Sequence, residues 1–318
     1  MICEKHCLYE DRSYVTLDTY IWEDSDTLGT GRGMKRPAII ICPGGGYLGC
    51  SDREGEPIAV KFASMGYNAF VLRYSTYAKG PFGSIEFGER LEPQPETAHP
   101  VPVREVGMAI LKIREKAEEW CVDADKIILC GFSAGGHNAA LYATSWHRPI
   151  ITDYFNVDKE LLRPAAVILG YTVTDYVFTA EISKADPFQA MLWKSMSIAF
   201  LGTKKPSQEL LKEVSPVYLV DENTPPMFIW ATQKDDLVPV RNSLSMAQVL
   251  SDHNIPFTLH IFEQGNHGLS TADQASAPSK FQIVPEISSW IKMADEWLYR
   301  RFALPLPELC AEDAMAMA

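Results

Sequence analysis

The chain has 318 residues, 47% of them hydrophobic and 22% charged, which are fractions typical of a folded globular protein. Asp and Glu number 41 against 29 Lys and Arg, and the net charge of -12 argues against nucleic acid or an anionic membrane as a main partner. No apolar run approaches the roughly 18 residues that would span a bilayer. The N-terminus lacks the basic start and apolar stretch of a secretory signal, which predicts a cytoplasmic protein.

Short apolar runs typical of strands alternate with helical patterns along most of the chain. Alternating apolar residues predict an early edge strand over 14–22. Apolar runs predict further strands over 37–42, 68–73, 126–130, 165–169, 227–231 and 257–261. Helical spacing predicts helices over 57–65, 103–120, 134–145, 241–251 and 281–302. This α/β alternation predicts a mostly parallel central sheet with helices on both faces, in a single domain spanning 1–318.

Three segments depart from this alternation. Residues 78–102 are rich in Pro, Gly and Glu and are predicted to form a long loop. Residues 172–215 form a helical insert with many aromatic and Met side chains between two strands. This insert is interpreted either as a lid over the carboxyl edge of the sheet or as a second packing layer. The last residues, 310–318, are predicted to be a frayed tail.

The cysteines do not indicate a disulfide framework or a metal site. Their number, seven, is odd, and Cys42 and Cys130 fall at the ends of predicted buried strands, as expected for buried thiols. Cys3 and Cys7 flank His6, but no second Cys/His pair at zinc spacing completes a ligand set. We therefore predict no metal.

A candidate nucleophile follows the strand predicted over 126–130. The sequence there is G-F-S-A-G-G at 131–136, which places Ser133 in a G-x-S-x-G motif between a strand and a helix. The turn is so tight that side chains at the flanking glycine positions would clash. Such a turn exposes the serine hydroxyl at the top of the sheet, beside a helix N-terminus that favours negative charge.

The glycine run after the first buried strand, P-G-G-G-Y at 43–47, admits two interpretations. Backbone N–H groups of Gly45 and Gly46, with that of Ala134, could form an oxyanion hole. With Gly49, the glycines at 44 and 46 also match the G-x-G-x-x-G fingerprint of nicotinamide oxidoreductases. That alternative is disfavoured, because the polar residues 50–57 separate the glycines from the next helix.

His267 and an aspartate complete the predicted site. His267 lies between glycines in the loop after strand 257–261, at the same sheet edge as Ser133, and is predicted to be the general base. Asp235 and Asp236 both follow strand 227–231. Asp235 is preferred as the partner of His267, with Asp236 the alternative. The chain order Ser, Asp, His is that of α/β-hydrolases.

Together these motifs, with S-D-R-E-G-E-P at 51–57 and D-D-L-V-P at 235–239, resemble the α/β-hydrolase esterases of the acetyl-xylan or feruloyl esterase-like BD-FAE type. The resemblance covers about residues 37–300. It implies an α/β-hydrolase fold and a carboxylic ester hydrolase that acts without a cofactor, often on acetylated sugars.

From these observations we predict a serine carboxylesterase that deacetylates sugars or xylo-oligosaccharides through an acyl-enzyme. Tyr47, beside the glycines, and Trp193, in the insert, are the predicted substrate-binding side chains. Two alternatives stay open: a serine peptidase of the prolyl or dipeptidyl type, and a vestigial hydrolase that acts as a binding protein. The sequence also leaves a homo-oligomer open.

Overall fold

A mixed β-sheet of eight strands organises the part of the chain that the computed structural model describes, namely residues 1–25, 33–84, 91–304, 306 and 308. The strands are β1 (Lys5–Cys7), β2 (Thr16–Tyr20), β3 (Arg36–Cys42), β4 (Asn68–Arg73), β5 (Val122–Phe132), β6 (Ala166–Gly170), β7 (Met227–Thr232) and β8 (Phe257–Phe262). Their spatial order is β1-β2-β4-β3-β5-β6-β7-β8. Strand β2 pairs antiparallel with both β1 and β4, and the other five pairs are parallel, which confirms the predicted mostly parallel sheet.

Helices cover both faces of this sheet. They are α1 (Glu56–Ser64), α2 (Val101–Glu115), α3 (Ser133–Ala143), α4 (Pro149–Phe155), α5 (Tyr176–Ile182), α6 (Pro187–Leu201), α7 (Gln208–Glu213), α8 (Arg241–Asp252), α9 (Pro285–Ser288) and α10 (Trp290–Phe302). None of these helices has the length and apolar character of a membrane span.

The apolar run of β3 does not alternate with polar residues, because both faces of this strand are covered. Ile40 belongs to the core beneath α2, α3 and α8, whereas its neighbours Ile39 and Ile41 belong to the core beneath α1 and α10. All three isoleucines are fully buried. Successive strand residues point to opposite faces, so a strand covered on both faces needs apolar residues at every position.

The predicted insert lies between β6 and β7 and contains α5, α6 and α7. Each helix begins at a side-chain cap: Asp175 accepts from the N–H of Phe178, Asp186 from that of Gln189, and Ser207 from that of Leu210. Such caps satisfy backbone donors that have no partner within the helix. The sequence of the insert therefore specifies its own helix boundaries. Its role as a lid stays a prediction.

Several predicted boundaries are wrong. Strand β2 is not an edge strand, because β1 pairs along its outer side. The helix predicted over 281–302 divides at Ser289 into α9 and α10, and α2 ends at Glu115 rather than near 120. The predicted frayed tail, 310–318, and residues 85–90 of the long loop lie outside the described residues.

Candidate active site

Ser133 stands at the sharp turn from β5 into α3. Its φ of +50° lies in the left-handed region, which non-glycine residues adopt rarely and mostly where a structure constrains them. Gly135 permits the turn, since a Cβ there would lie 2.1 Å from the carbonyl oxygen of Cys42. The backbone of α3 thus packs directly against the end of β3, and the serine hydroxyl projects at the carboxyl edge of the sheet.

The structure brings His267 to this hydroxyl from the loop after β8. Its Nε2 lies 2.9 Å from Ser133 Oγ, and its Nδ1 lies 2.8 Å from Asp235 Oδ2. A carboxylate can only accept, so Nδ1 carries the proton and Nε2 is left as an acceptor for the serine hydroxyl. The three side chains come from the ends of β5, β7 and β8 and form a continuous hydrogen-bonded chain.

Asp235 rather than Asp236 contacts the imidazole. Its second oxygen, Oδ1, accepts from the N–H groups of Leu237 and Val238, at 2.9 and 2.8 Å. With the bond from His267, the carboxylate has three donors, which fix its rotamer and compensate its burial. Asp236 is exposed and contacts the site through a 3.4 Å bond from the backbone N–H of His267.

The predicted oxyanion-hole glycines line the same cavity as Ser133. Gly45 has a φ of +123°, and a Cβ there would lie 2.0 Å from the carbonyl oxygen of Gly49, so the loop requires glycine at this position. Within the described residues, the N–H groups of Gly45 and Gly46 have no hydrogen-bond acceptor. Ala134 lies in the first turn of α3, where backbone N–H groups have no intrahelical acceptor.

A cavity of about 330 Å³ opens in front of Ser133. The insert contributes one wall of this cavity, and Trp193 is part of that wall, at the position where the sequence predicted a substrate contact. Outside the insert, apolar side chains of the lining include Leu48, Leu237 and Val238. A cavity with these walls suits the apolar parts of a small ligand, with polar groups concentrated near the serine.

Tyr47 does not reach the cavity, and the prediction that it binds substrate is wrong. Its φ of +59° turns the side chain away from the glycine loop into the core. There the fully buried ring stacks on Phe200 with a centroid distance of 4.0 Å, and the hydroxyl lies 2.7 Å from His137 Nδ1. Tyr47 therefore anchors the glycine loop from below.

His137 packs in the core, one helical turn after Ser133. Its Nε2 lies 2.7 Å from the carbonyl oxygen of Val214, so this nitrogen carries the proton. Complete burial lowers the pKa of His137 to about 3. The ring is therefore neutral near pH 7 and links α3 to the insert rather than taking part in proton transfer.

Sequence reasoning missed Glu54, a buried carboxylate that also lines the cavity. It accepts from the backbone N–H of Gly44 at 2.9 Å and from the hydroxyl of Tyr171 at 2.6 Å. In the sequence, Glu54 lies inside the polar segment 51–57, shortly after the glycine loop. An acidic residue at that point usually indicates a solvated turn, and the sequence gives no sign of its burial.

The fold and this arrangement of side chains define an α/β hydrolase. Among solved structures, the carboxylesterase Cest-2923 from Lactobacillus plantarum WCFS1 is 27% identical, with a TM-score of 0.75 over 95% of this chain and 98% of that one. An acetyl ester-xyloside bifunctional hydrolase from Caldicellulosiruptor lactoaceticus is 28% identical, with a TM-score of 0.70 over 93% of this chain and 96% of that one.

The model of the BD-FAE family matches residues 28–250, and the chain belongs to this family, which confirms the resemblance found in the sequence. An endo-1,4-beta-xylanase B from Butyrivibrio fibrisolvens is 33% identical over 242 residues, which are 76% of this chain and 33% of that protein. The chain spans between about a third and a half of the length of the curated relatives that it matches. Esterases recur among these relatives and solved structures, which supports a carboxylic ester hydrolase.

Proposed function

We propose that the protein is a serine carboxylesterase that hydrolyses small-molecule esters through an acyl-enzyme on Ser133. The observation that carries this proposal is the pair of contacts made by His267, 2.9 Å to Ser133 Oγ and 2.8 Å to Asp235 Oδ2. This is the geometry that a serine needs in order to become a nucleophile, because the base lies within hydrogen-bond reach and is itself oriented by a carboxylate.

In the acylation step, Ser133 Oγ attacks the ester carbonyl carbon while its proton passes to His267 Nε2. The carbonyl oxygen becomes an oxyanion, which the N–H groups of Ala134 and of Gly45 or Gly46 stabilise. The imidazolium is stabilised by Asp235. Collapse of the tetrahedral intermediate breaks the bond to the alkoxy oxygen, which takes the proton from Nε2 and leaves as the alcohol.

Deacylation repeats these steps with water. His267 Nε2 takes a proton from a water molecule that attacks the acyl carbon, and the same N–H groups stabilise the second oxyanion. When this intermediate collapses, Ser133 Oγ leaves and recovers its proton from His267. The carboxylic acid is released and the site returns to its starting state without any cofactor.

For the substrate, we propose acetyl esters of sugars, including xylo-oligosaccharides. Two observations support this class. Similar proteins carry the names acetyl ester-xyloside bifunctional hydrolase and endo-1,4-beta-xylanase B. The cavity also presents the indole of Trp193, a flat apolar surface of the kind on which a sugar ring can pack. The cytoplasmic location expected from the sequence stays a prediction.

The test of the mechanism is Ser133→Ala, with Ser64→Ala as the matched control because Ser64 is an exposed residue of α1. We expect the first variant to lose at least about 10⁴-fold in kcat with p-nitrophenyl acetate and to lose labelling by a fluorophosphonate. The control should match the wild type in both. Substantial turnover by Ser133→Ala would refute the serine mechanism.

The substrate class is tested separately, on the wild-type protein. A panel of acetylated xylo-oligosaccharides, feruloyl esters and simple acyl esters should give the highest kcat/KM with the acetylated oligosaccharides. A preference for simple esters that lack a sugar would leave the serine mechanism intact and contradict the sugar assignment.

A further inference from the structure

The carboxylate of Glu54 is almost completely removed from solvent beside the candidate active site. The residue is 4% exposed and ends the 3-10 turn Asp52–Glu54, which precedes α1. Its partners are two donors on different segments: the backbone N–H of Gly44 and the hydroxyl of Tyr171. Burial of a carboxylate is unfavourable unless the group is hydrogen-bonded, so these two bonds compensate the burial of Glu54.

The bond to Gly44 acts on the loop that supplies the proposed oxyanion hole. A Cβ on Gly44 would lie 3.0 Å from Ser133 Cβ, so this part of the loop runs directly against the nucleophile. Glu54 Oε2 accepts from the N–H of Gly44, and the next two residues, Gly45 and Gly46, line the cavity with N–H groups that have no acceptor within the described residues. The carboxylate therefore fixes the Pro43–Gly44 peptide, which directly precedes the two proposed donors.

The bond to Tyr171 acts on the loop that carries His267. The Tyr171 oxygen accepts from the backbone N–H of Ser270 at 3.0 Å, while its hydroxyl proton goes to Glu54. The Tyr171 ring also packs edge-on against the imidazole of His267, with centroids 5.0 Å apart. One tyrosine thus connects the buried carboxylate to both the backbone and the side chain of this loop.

The neighbouring Arg53 adds two further bonds between the same segments. Its Nη2 donates to the carbonyl oxygen of Gly268 at 3.0 Å, and its own carbonyl oxygen accepts from Ser270 Oγ at 2.6 Å. The turn containing Arg53 and Glu54 therefore contacts the glycine loop on one side and the histidine loop on the other.

We propose that Glu54 is a positioning residue that holds the oxyanion-hole loop and the histidine loop in their relative places. The proposal rests on the function proposed above. A carboxylate suits this position because both of its partners donate. Glutamine has nearly the same shape but offers one acceptor and one donor group, so it can accept from Gly44 or from Tyr171 and must present N–H to the other.

The test compares Glu54→Gln with Glu56→Gln, which makes the same chemical change at an exposed carboxylate two residues further on. We expect Glu54→Gln to lower kcat for p-nitrophenyl acetate by about 10- to 100-fold and to change KM by less than about threefold. This loss is smaller than the roughly 10²- to 10³-fold cost of deleting an oxyanion donor. Glu56→Gln should behave as the wild type.

A second readout separates positioning from a purely structural role. Phenylboronic acid forms a tetrahedral adduct with a reactive serine, so its affinity should fall by about the same factor as kcat/KM in Glu54→Gln. A variant that only destabilises the fold would show a lower Tm with boronate affinity and kcat unchanged at a temperature where it is fully folded. That result, or wild-type kcat, would overturn the proposal.

Tyr171→Phe tests the coupling between the two loops. It retains the ring and removes the hydroxyl that bridges Glu54 and Ser270, so kcat should fall. If both residues act through one bridge, the double variant with Glu54→Gln should lose little more than the worse single variant, whereas additive losses would refute the bridge. If Ser133→Ala is inactive and Glu54→Gln has the kcat of the wild type, only the positioning proposal is refuted. If Ser133→Ala is active, the proposed function itself is refuted.

Discussion

Replacing Asp235 by asparagine should reverse the tautomer of His267. In the structure, Oδ1 of Asp235 accepts from two backbone N–H groups, on Leu237 and Val238, and Oδ2 accepts from His267 Nδ1. An asparagine that turned its amide nitrogen towards the backbone would leave two N–H groups without an acceptor, at a cost of about 1–3 kcal/mol each. The amide nitrogen must therefore face His267.

That orientation places an N–H donor against Nδ1, so Nδ1 gives up its proton and Nε2 becomes protonated. A protonated Nε2 cannot accept the proton of Ser133, and the serine loses its base. Water cannot replace the amide as the partner of Nδ1, because the side chain at position 235 is 0% exposed. We expect a fall in kcat of about 10⁴-fold, the size measured for the same change in a serine protease triad, which corresponds to about 5 kcal/mol of barrier.

The assay is steady-state hydrolysis of p-nitrophenyl acetate, with Asp236→Asn as the control. Asp236 is exposed and meets His267 only at its backbone N–H, 3.4 Å away, so its loss should change kcat by no more than about threefold. The reasoning fails if Asp235→Asn stays within about tenfold of the wild type, or if Asp236→Asn is the more damaging change.

Three further predictions concern the loop, the cavity and the core. Gly44→Ala would place a Cβ 2.7 Å from Glu54 Oε2 and 3.0 Å from Ser133 Cβ and should lower kcat at least about tenfold; unchanged kcat would contradict this close approach. Met196 packs beside Gly46 in the cavity wall, so Met196→Ala should shift the preference in a series of p-nitrophenyl esters towards longer acyl chains, and an unaltered profile would count against this wall. The pKa of His137 is lowered to about 3, so between that pH and its ordinary pKa only the unfolded chain binds the proton. The free energy of unfolding should therefore fall as the pH is lowered from about 6.5, and this residue should contribute up to about 1.4 kcal/mol per pH unit. In chemical unfolding experiments, the free energy of unfolding of His137→Asn should depend less steeply on pH; an equally steep dependence would contradict this assignment.

The sequence predicted the sheet well because its central strands are covered on both faces. The apolar residues of 37–42 and 227–231 form continuous runs with almost no competing pattern, and the observed strands β3 and β7 begin and end within one residue of them. Strand β1 was missed, since three residues are too few to show a period. The division between α9 and α10 was missed because the apolar spacing continues across Ser289.

The three side chains that converge were predictable because each follows a strand of one parallel sheet. Parallel strands have their carboxyl ends at one edge, so Ser133, Asp235 and His267 had to share that edge whatever the intervening loops do. Side-chain direction inside a loop is a different matter. Tyr47 follows the glycines in sequence, yet one positive φ directs its ring into the core. The burial of Glu54 depends on Tyr171, which lies more than a hundred residues away in sequence.

The origin of the cavity wall has a consequence for how this protein can change. The groups that form the hydrogen-bonded chain lie after β5, β7 and β8, whereas the wall containing Trp193 and Met196 belongs to the segment inserted after β6. The side chains proposed to react and this wall of the cavity therefore come from separate stretches of the polypeptide. Exchanging the inserted segment between relatives should redirect ligand choice and leave the reacting atoms in place, provided that the new segment keeps the contacts of Phe200 with Tyr47 and of Val214 with His137.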